Sequence, residues 1–208
     1  MLTPVILSWE YPPRIVGDLA YYVESLVEML NKAKTPVRVV TCRDSIEKYE
    51  KHGDLLEIFW ASNPVRPQIS VLTWCLTLNS EIERIVSDIV YANIRTTLIL
   101  DVQDWHFVPA GVSLKRAHRL PFIFTVHSLE EQRSPGSAFA LNSCIKGIET
   151  MGLHESDLVL VKTSQMKAII TNGYEIPEEK VVVVPNTGPN WGGKILRVYR
   201  EVARSLGA

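Results

Sequence analysis

Short runs dense in branched and aromatic residues alternate along this chain with longer stretches whose apolar residues return every three or four positions. The short runs are 5–8, 37–41, 56–60, 98–102, 122–126, 158–161 and 181–184. Several are apolar at nearly every position, as in Phe122-Ile123-Phe124 and Val181 through Val184. Such runs predict strands covered on both faces, the condition of a parallel sheet between helices. Between them, Leu19, Val23, Leu26, Val27 and Leu30 make one helical stripe. Leu78, Ile82, Val86 and Ile89 make another, with Ser80 and Glu83 at capping-box spacing near its start. A third helix is expected over 164–173, stopped by Gly173. The last carries Trp191, Ile195, Val198, Tyr199, Val202 and Leu206. Alternation at this pitch implies βαβ units. The expected fold is therefore α/β, a single Rossmann-like doubly wound parallel sheet with right-handed crossovers, closed by a C-terminal crossover helix.

Composition narrows the function classes. The 208 residues suffice for one large domain or two small ones, and 46% hydrophobic with 22% charged residues reads as globular. The 22 basic and 23 acidic residues leave a net charge of −1, which argues against nucleic-acid and anionic-membrane partners. No apolar run reaches the length of a membrane helix, and Met1-Leu2-Thr3-Pro4 carries no charged leader, so a cytoplasmic setting is expected. Cys42, Cys75 and Cys144 are odd in number and far apart, which points to buried reduced thiols and to no metal site. One composition break stands out, the turn-forming cluster Asn186-Thr187-Gly188-Pro189-Asn190 before the last helix.

In open α/β sheets ligands lie beyond the carboxyl ends of the strands. The segments there are rich in chemistry: Trp9-Glu10-Tyr11-Pro12-Pro13-Arg14-Ile15-Val16-Gly17-Asp18, then Gln103-Asp104-Trp105-His106, then His127-Ser128-Leu129-Glu130-Glu131, then Lys162-Thr163-Ser164. A pyranose packs its apolar face on an indole or phenol while its hydroxyls bond to carboxylates, so this edge suits a sugar. Gly17 at a loop-to-helix junction lets backbone amides approach an anion. Asp104 has two readings, a ligand group or the N-cap of a helix opening near Pro109 and Ala110. Glu130 and Glu131 are either acceptor ligands or part of a solvated loop.

Four segments, in order and each at a strand end, resemble the amino-terminal domain of the glycogen and starch synthases and related retaining glycosyltransferases of the two-domain GT-B fold. They are Ser8-Trp9-Glu10-Tyr11-Pro12-Pro13 with Val16-Gly17, Asp104-Trp105-His106, Phe124-Thr125-Val126-His127, and Val184-Pro185-Asn186. The resemblance implies that His127 contacts the donor sugar near the reacting centre. It implies that Asp104, Trp105 and His106 line the cleft, that Gly17 faces the donor phosphates, and that Glu10 and Tyr11 belong to the same binding loop. Two positions depart from the family pattern. Asp18 stands where a second loop glycine is usual, and Gln103 replaces the first histidine of His-Asp-Trp-His. Asp18 would repel a diphosphate unless turned away, for instance as the N-cap of the helix it precedes.

The resemblance further implies a carbohydrate acceptor, an ADP-glucose or UDP-glucose donor in the complete enzyme, and no cofactor. Nothing here resembles the family's nucleotide-binding second domain. We therefore expect 1–186 and 191–208 to be two parts of one split domain, with 187–190 the junction where the missing C-terminal domain would stand. Such a half is expected to be inactive alone, and its bare interdomain face to favour a homodimer. Two alternatives stand beside this reading: a non-catalytic carbohydrate-binding or interaction domain, which Asp18 and Gln103 favour, and a GT-B transferase with another acceptor of sucrose, trehalose or lipid-linked type. A Rossmann dehydrogenase fits poorly, since no G-x-G-x-x-G follows the first strand.

Overall fold

The computed structural model describes residues 2–43, 48–65 and 69–207. The chain runs β1 (Leu2–Ser8), α1 (Asp18–Lys32), β2 (Val37–Cys42), β3 (Tyr49–His52), β4 (Leu56–Ala61), α2 (Val71–Ala92) and β5 (Thr97–Gln103). There follow α3 (Val108–His118), β6 (Phe122–Val126), α4 (Glu130–Arg133), α5 (Ala140–Glu155), β7 (Leu158–Val161), α6 (Ser164–Gly173), β8 (Val181–Val183) and α7 (Trp191–Ser205). Among the described residues the strands form one sheet in the order β3-β4-β2-β1-β5-β6-β7-β8. Neighbours pair in parallel, save that β3 runs antiparallel to β4.

The doubly wound α/β reading holds, with β3 as an addition. Its sequence, Tyr49-Glu50-Lys51-His52, is mostly exposed and has no apolar alternation, so periodicity passes over it. Charged residues on such a strand also guard the open edge of the sheet.

Side chains alternate across the sheet. Val5, Leu7, Val40, Leu100, Val102, Phe122 and Phe124 enter a core shared with α2, α3, α5 and α6. Ile6, Val39, Ile99, Ile123 and Leu160 enter a second core beneath α1 and α7. Both faces are buried, which is why the strands read as continuous apolar runs.

Three helix boundaries differ from expectation. α2 begins at Val71, where Ser70 accepts from Thr73 N at 3.2 Å and Thr73 Oγ1 accepts from Ser70 N at 3.2 Å. Ser80 lies well inside this helix and donates to Thr77 O at 2.8 Å, so the expected Ser80–Glu83 box is not a cap. The apolar stripe continues upstream through Leu72 and buried Cys75, and burial carries the helix past that point. Residues 164–173 are helical as expected, but Thr163 is the N-cap and Gly173 is the last helical residue rather than the stop. Leu206 falls beyond α7 and is half exposed, so it does not join the stripe.

At the centre of the sheet Asp101 is wholly buried. Thr125 Oγ1 donates to it at 2.6 Å and Tyr199 Oη donates to its other oxygen, which ties α7 to β5 and β6. Burial nevertheless pushes the Asp101 pKa up to about 6.

Close approach makes one glycine indispensable. A Cβ on Gly152 would lie 2.9 Å from two ring carbons of Phe124 and 2.9 Å from Val108 Cγ2. Gly152→Ala is therefore expected to cost about 1–3 kcal/mol through forced displacement of α5. The check is a lowered urea midpoint at unchanged slope. An unmoved midpoint would mean that α5 can slide to make room.

Candidate active site

Strand order reverses between β1 and β5, which opens a crevice at their carboxyl ends. Register then decides what stands there. Ser8 is opposite Gln103, Gln103 opposite Thr125, and Val126 opposite Val161. The next residues of β1, β5, β6 and β7 are Trp9, Asp104, His127 and Lys162, so parallel pairing lines them along one edge.

The loop after β1 is organised by Glu10, which is 6% exposed. Its Oε2 accepts from Val16 N at 2.7 Å and from Gly17 N at 2.6 Å. Two amides of the glycine loop are thus engaged by an internal carboxylate. Gly17 is the N-cap of α1, in extended backbone. Asp18 is the first residue of that helix and makes no side-chain cap bond, so the N-cap expected of it is not formed; its position is exposed. Tyr11 is buried in the core under α1, where burial, followed by Glu24 and Glu28, pushes its hydroxyl up to about 12. There it packs as part of the core beneath the loop's own helix.

Above the loop lies an aromatic stack. The His106 ring sits between Trp9, at 4.5 Å and 17°, and Trp105, at 4.2 Å and 21°. Trp74 meets Trp9 edge-on at 4.9 Å, and the Arg14 guanidinium lies 5.0 Å from the centre of the Trp9 ring. Burial first, then Arg133 and Arg14, lower the His106 pKa to about 3, so this imidazole is neutral at pH 7. Trp105 is nearly buried against Cys75 and Ile145, a wall rather than an open face.

Asp104 has φ 57° and ψ −176°, a region nearly reserved for glycine and worth about 1–3 kcal/mol of strain for any other residue. Its side chain does not cap a helix. α3 starts at Val108 with Phe107 as N-cap, while Asp104 Oδ1 accepts from His127 N at 2.8 Å and Ser128 N at 3.4 Å. The N-cap reading is thereby replaced by a brace between the β5 and β6 loops. Burial pushes its pKa up to about 6, against the pull of those amides and of Arg133.

The His127 ring is fixed on two sides. Nε2 lies 2.8 Å from Gln103 Oε1, and the ring meets Tyr22 edge-on at 4.5 Å. Gln103, at the position of the family's missing histidine, is thus a direct partner of His127. Tyr22 in turn stacks on Trp191 at 4.8 Å, and Lys162 Nζ lies 4.9 Å from the centre of the Tyr22 ring. Burial, then Lys162, hold His127 well below its ordinary pKa and keep it neutral. Sequence reasoning missed Tyr22. It is one position from the stripe residue Val23, carries no motif, and meets His127 through the packing of α1 on the sheet.

Glu130 is buried and paired with Arg133 at 2.9 Å, so the solvated-loop reading fails for it. Glu131 is exposed and pairs with Lys146. Cys42 and Cys75 are buried as expected, but Cys144 is exposed. Among the described residues no three His, Cys, Asp or Glu side chains are grouped to hold a metal, and no helix is long and apolar enough to cross a membrane.

Buried at this edge without a hydrogen-bond partner are two imidazole nitrogens, His106 Nδ1 and His127 Nδ1, while the Gln103 amide bonds to the Asp101 carboxyl. Buried polar atoms without partners are costly, so these two imidazole nitrogens are left for a partner outside the described side chains. The groups are uncharged donors and acceptors next to an indole. They are suited to holding a polyhydroxylated ring and unsuited to moving protons at neutral pH.

A doubly wound sheet with a switch-point edge fits the first domain of a GT-B glycosyltransferase, the fold of the solved structures it is similar to. Within that class the chain belongs to Glycosyltransferase Family 4, whose pattern matches residues 19–187. It is 28% identical over 207 residues to an uncharacterized glycosyltransferase of Methanocaldococcus jannaschii, covering 97% of this chain and 51% of that protein. It is 22% identical over 202 residues to the glycogen synthase of Mycobacterium tuberculosis, covering 88% and 47%. The chain spans about half the length of these curated relatives. Among solved structures, a sucrose-phosphate synthase piece from Thermosynechococcus elongatus has TM-score 0.70 at 16% identity, with 99% of each chain covered.

The buried carboxyl of Asp104 makes a pH prediction. Its folded pKa is raised from 3.8 to about 6, so the folded state binds the extra proton between those values and loses stability as pH rises through about 6. Asp104→Asn, neutral throughout, should gain on the wild type in melting temperature between pH 4.5 and 7.5. A difference that stays flat over that range would place the carboxyl in contact with water.

Proposed function

We propose that this chain is the acceptor-side half of a retaining glucosyltransferase resembling glycogen synthase. In the complete enzyme an ADP-glucose or UDP-glucose donor lies between this half and a second, nucleotide-binding domain, and the glucosyl unit passes to an α-glucan. The carrying observation is the pair of neutral, unpartnered imidazole nitrogens on His106, which stacks on Trp9, and on His127 at the end of the next strand. His127 is assigned to the donor sugar at the reacting centre. Asp104 orients it, Trp105 and His106 form the cleft wall, and Glu10, Tyr11 and Gly17 shape the loop on the phosphate side. The glycogen synthase relative favours the glucan acceptor. The sucrose-phosphate synthase likeness favours a second reading, a sucrose- or trehalose-type acceptor at the same site.

On this reading the chain does not turn over alone, and residues 1–186 and 191–208 are the two parts of one split domain. The junction supports this, since positions 185–190 are exposed and Gly188 turns with φ 85°. So does the seat of α7, whose Trp191, Ile195 and Tyr199 fill the core beneath α1. Self-association through the face left for the second domain follows from the same reading.

Calorimetric titration with a maltooligosaccharide, ADP-glucose and UDP-glucose tests the proposal. Oligosaccharide binding without nucleotide-sugar binding is expected. Nucleotide-sugar binding would refute the division of labour, and binding of neither would remove the acceptor role. In an enzyme reassembled with a nucleotide-binding half, His127→Ala should lower kcat about 100-fold or more with little change in oligosaccharide affinity. Equal losses in both would take His127 away from the reacting centre.

A further inference from the structure

The segment carrying His127 is held from outside itself. Asp104 takes its first two amides, as described above. Leu129 is fully buried and anchors its middle. Its far end is held by Glu149, on α5, whose two carboxylate oxygens both accept from Glu130 N at 2.9 Å. Arg133 closes the arrangement. Its Nη1 donates to Ser128 O at 3.1 Å and Ser128 Oγ at 2.6 Å, its Nε to Glu130 Oε2 at 2.9 Å, and its Nη2 to Glu149 Oε1 at 2.6 Å. Asn142, also on α5, donates to Glu130.

A buried ion pair is weak evidence for stability, because desolvation of the charges offsets their attraction. Glu149 is 1% exposed and shares a single guanidinium with Glu130. α5 moreover has its own apolar seat in Leu153 and in the close contact of Gly152 with Phe124. Holding α5 in place is therefore not what this cluster adds. What distinguishes it is where its bonds end, on Ser128 and Glu130, the residues immediately after His127.

We propose that Glu149 is a positioning residue for the reaction assigned above, fixing the Ser128–Glu130 backbone directly and through Arg133, and with it the direction in which His127 presents its ring to the sugar. The proposal rests on the assignment of His127, but the state of the loop can be read without it.

The charged and titratable groups facing Glu149 are Glu130 and Arg133 on α4, Asp104 after β5, and Tyr174 after α6. Burial outweighs Arg133 and pushes Glu149 up to about 7. Its folded pKa is raised, so taking up the proton does not lower global stability. A neutral carboxyl is, however, a poorer acceptor for the Glu130 amide and for Arg133. Loop order and global stability should thus move in opposite directions on acidification, which a purely supporting role would not produce.

The experiment is amide hydrogen exchange and imidazole nitrogen NMR on the labelled chain, for wild type, Glu149→Gln and Arg133→Gln. In Glu149→Gln the Ser128 and Glu130 amides should exchange about tenfold faster or more, the His127 imidazole resonances should shift, and the melting temperature should hold or rise. Lowering the pH through about 7 should loosen the same amides in wild type and have no such effect in Glu149→Gln. Arg133→Gln, which takes the shared guanidinium from the buried Glu130 and Glu149, should loosen the same loop and also lower the melting temperature. The separation of loop order from stability is therefore read in Glu149→Gln. Unchanged loop exchange and His127 resonances in both variants would overturn the proposal, as would loosening spread evenly over β6 and α5. If the loop responds but His127→Ala is without effect on transfer, the catalytic assignment falls and the positioning role of Glu149 stands.

Discussion

Parallel pairing of β1 with β5 is the constraint on which the rest depends. Its register runs from Leu2 opposite Thr97 to Ser8 opposite Gln103. A slip of one residue would turn Ile6 and Leu7 to the wrong cores, because side chains alternate with period two and both faces here are buried. A like slip between β5 and β6 would take Asp101 away from Thr125 and part Gln103 from His127. Packing of two cores therefore fixes, to within a side chain, which residues meet at the switch point. The chemistry of that edge depends on a register enforced by apolar burial elsewhere.

Several features of the edge are unfavourable taken singly. Asp104 occupies backbone space suited to glycine, Asp104 and Asp101 are buried with raised pKa values, and two histidines are held neutral. Local strain of this kind survives only where the surrounding structure over-determines it, and such places cluster at functional sites. Here the over-determination is visible. Asp104 N bonds to Thr125 O at 2.9 Å, its carboxylate braces the next loop, and its neighbours pack against the Trp9–His106–Trp105 stack. The result is an edge at which two neutral imidazoles present hydrogen-bonding atoms between the charged groups Arg14, Asp104 and Lys162.

The glycine loop illustrates how a familiar motif can acquire a different local partner. Its amides at Val16 and Gly17 point at the Glu10 carboxylate, so the anion-binding capacity of the loop is satisfied from within. Asp18 adds a second carboxylate at the start of α1, where the helix dipole favours it. Membership of Glycosyltransferase Family 4 describes the scaffold, and on it the loop's amides are paired internally.

The fold class was legible in the sequence because period and burial are local: continuous apolar runs at strand length admit few arrangements other than a sheet buried on both faces. The motif residues Trp9, Asp104, His106 and His127 were legible for the same reason, each falling directly after such a run. Features that depend on which elements meet were not legible. The brace from Asp104 to His127, the Tyr22–Trp191 contact and the Glu149–Arg133 anchor join residues far apart in the chain, while the N-cap of α2 at Ser70 and the polar edge strand at Tyr49–His52 lie where the apolar pattern is silent. A carboxylate reads the same in sequence whether it will cap a helix, bind a ligand or hold a loop. Tertiary structure decides between these, because only there are the competing donors brought within hydrogen-bond distance and water removed from around them.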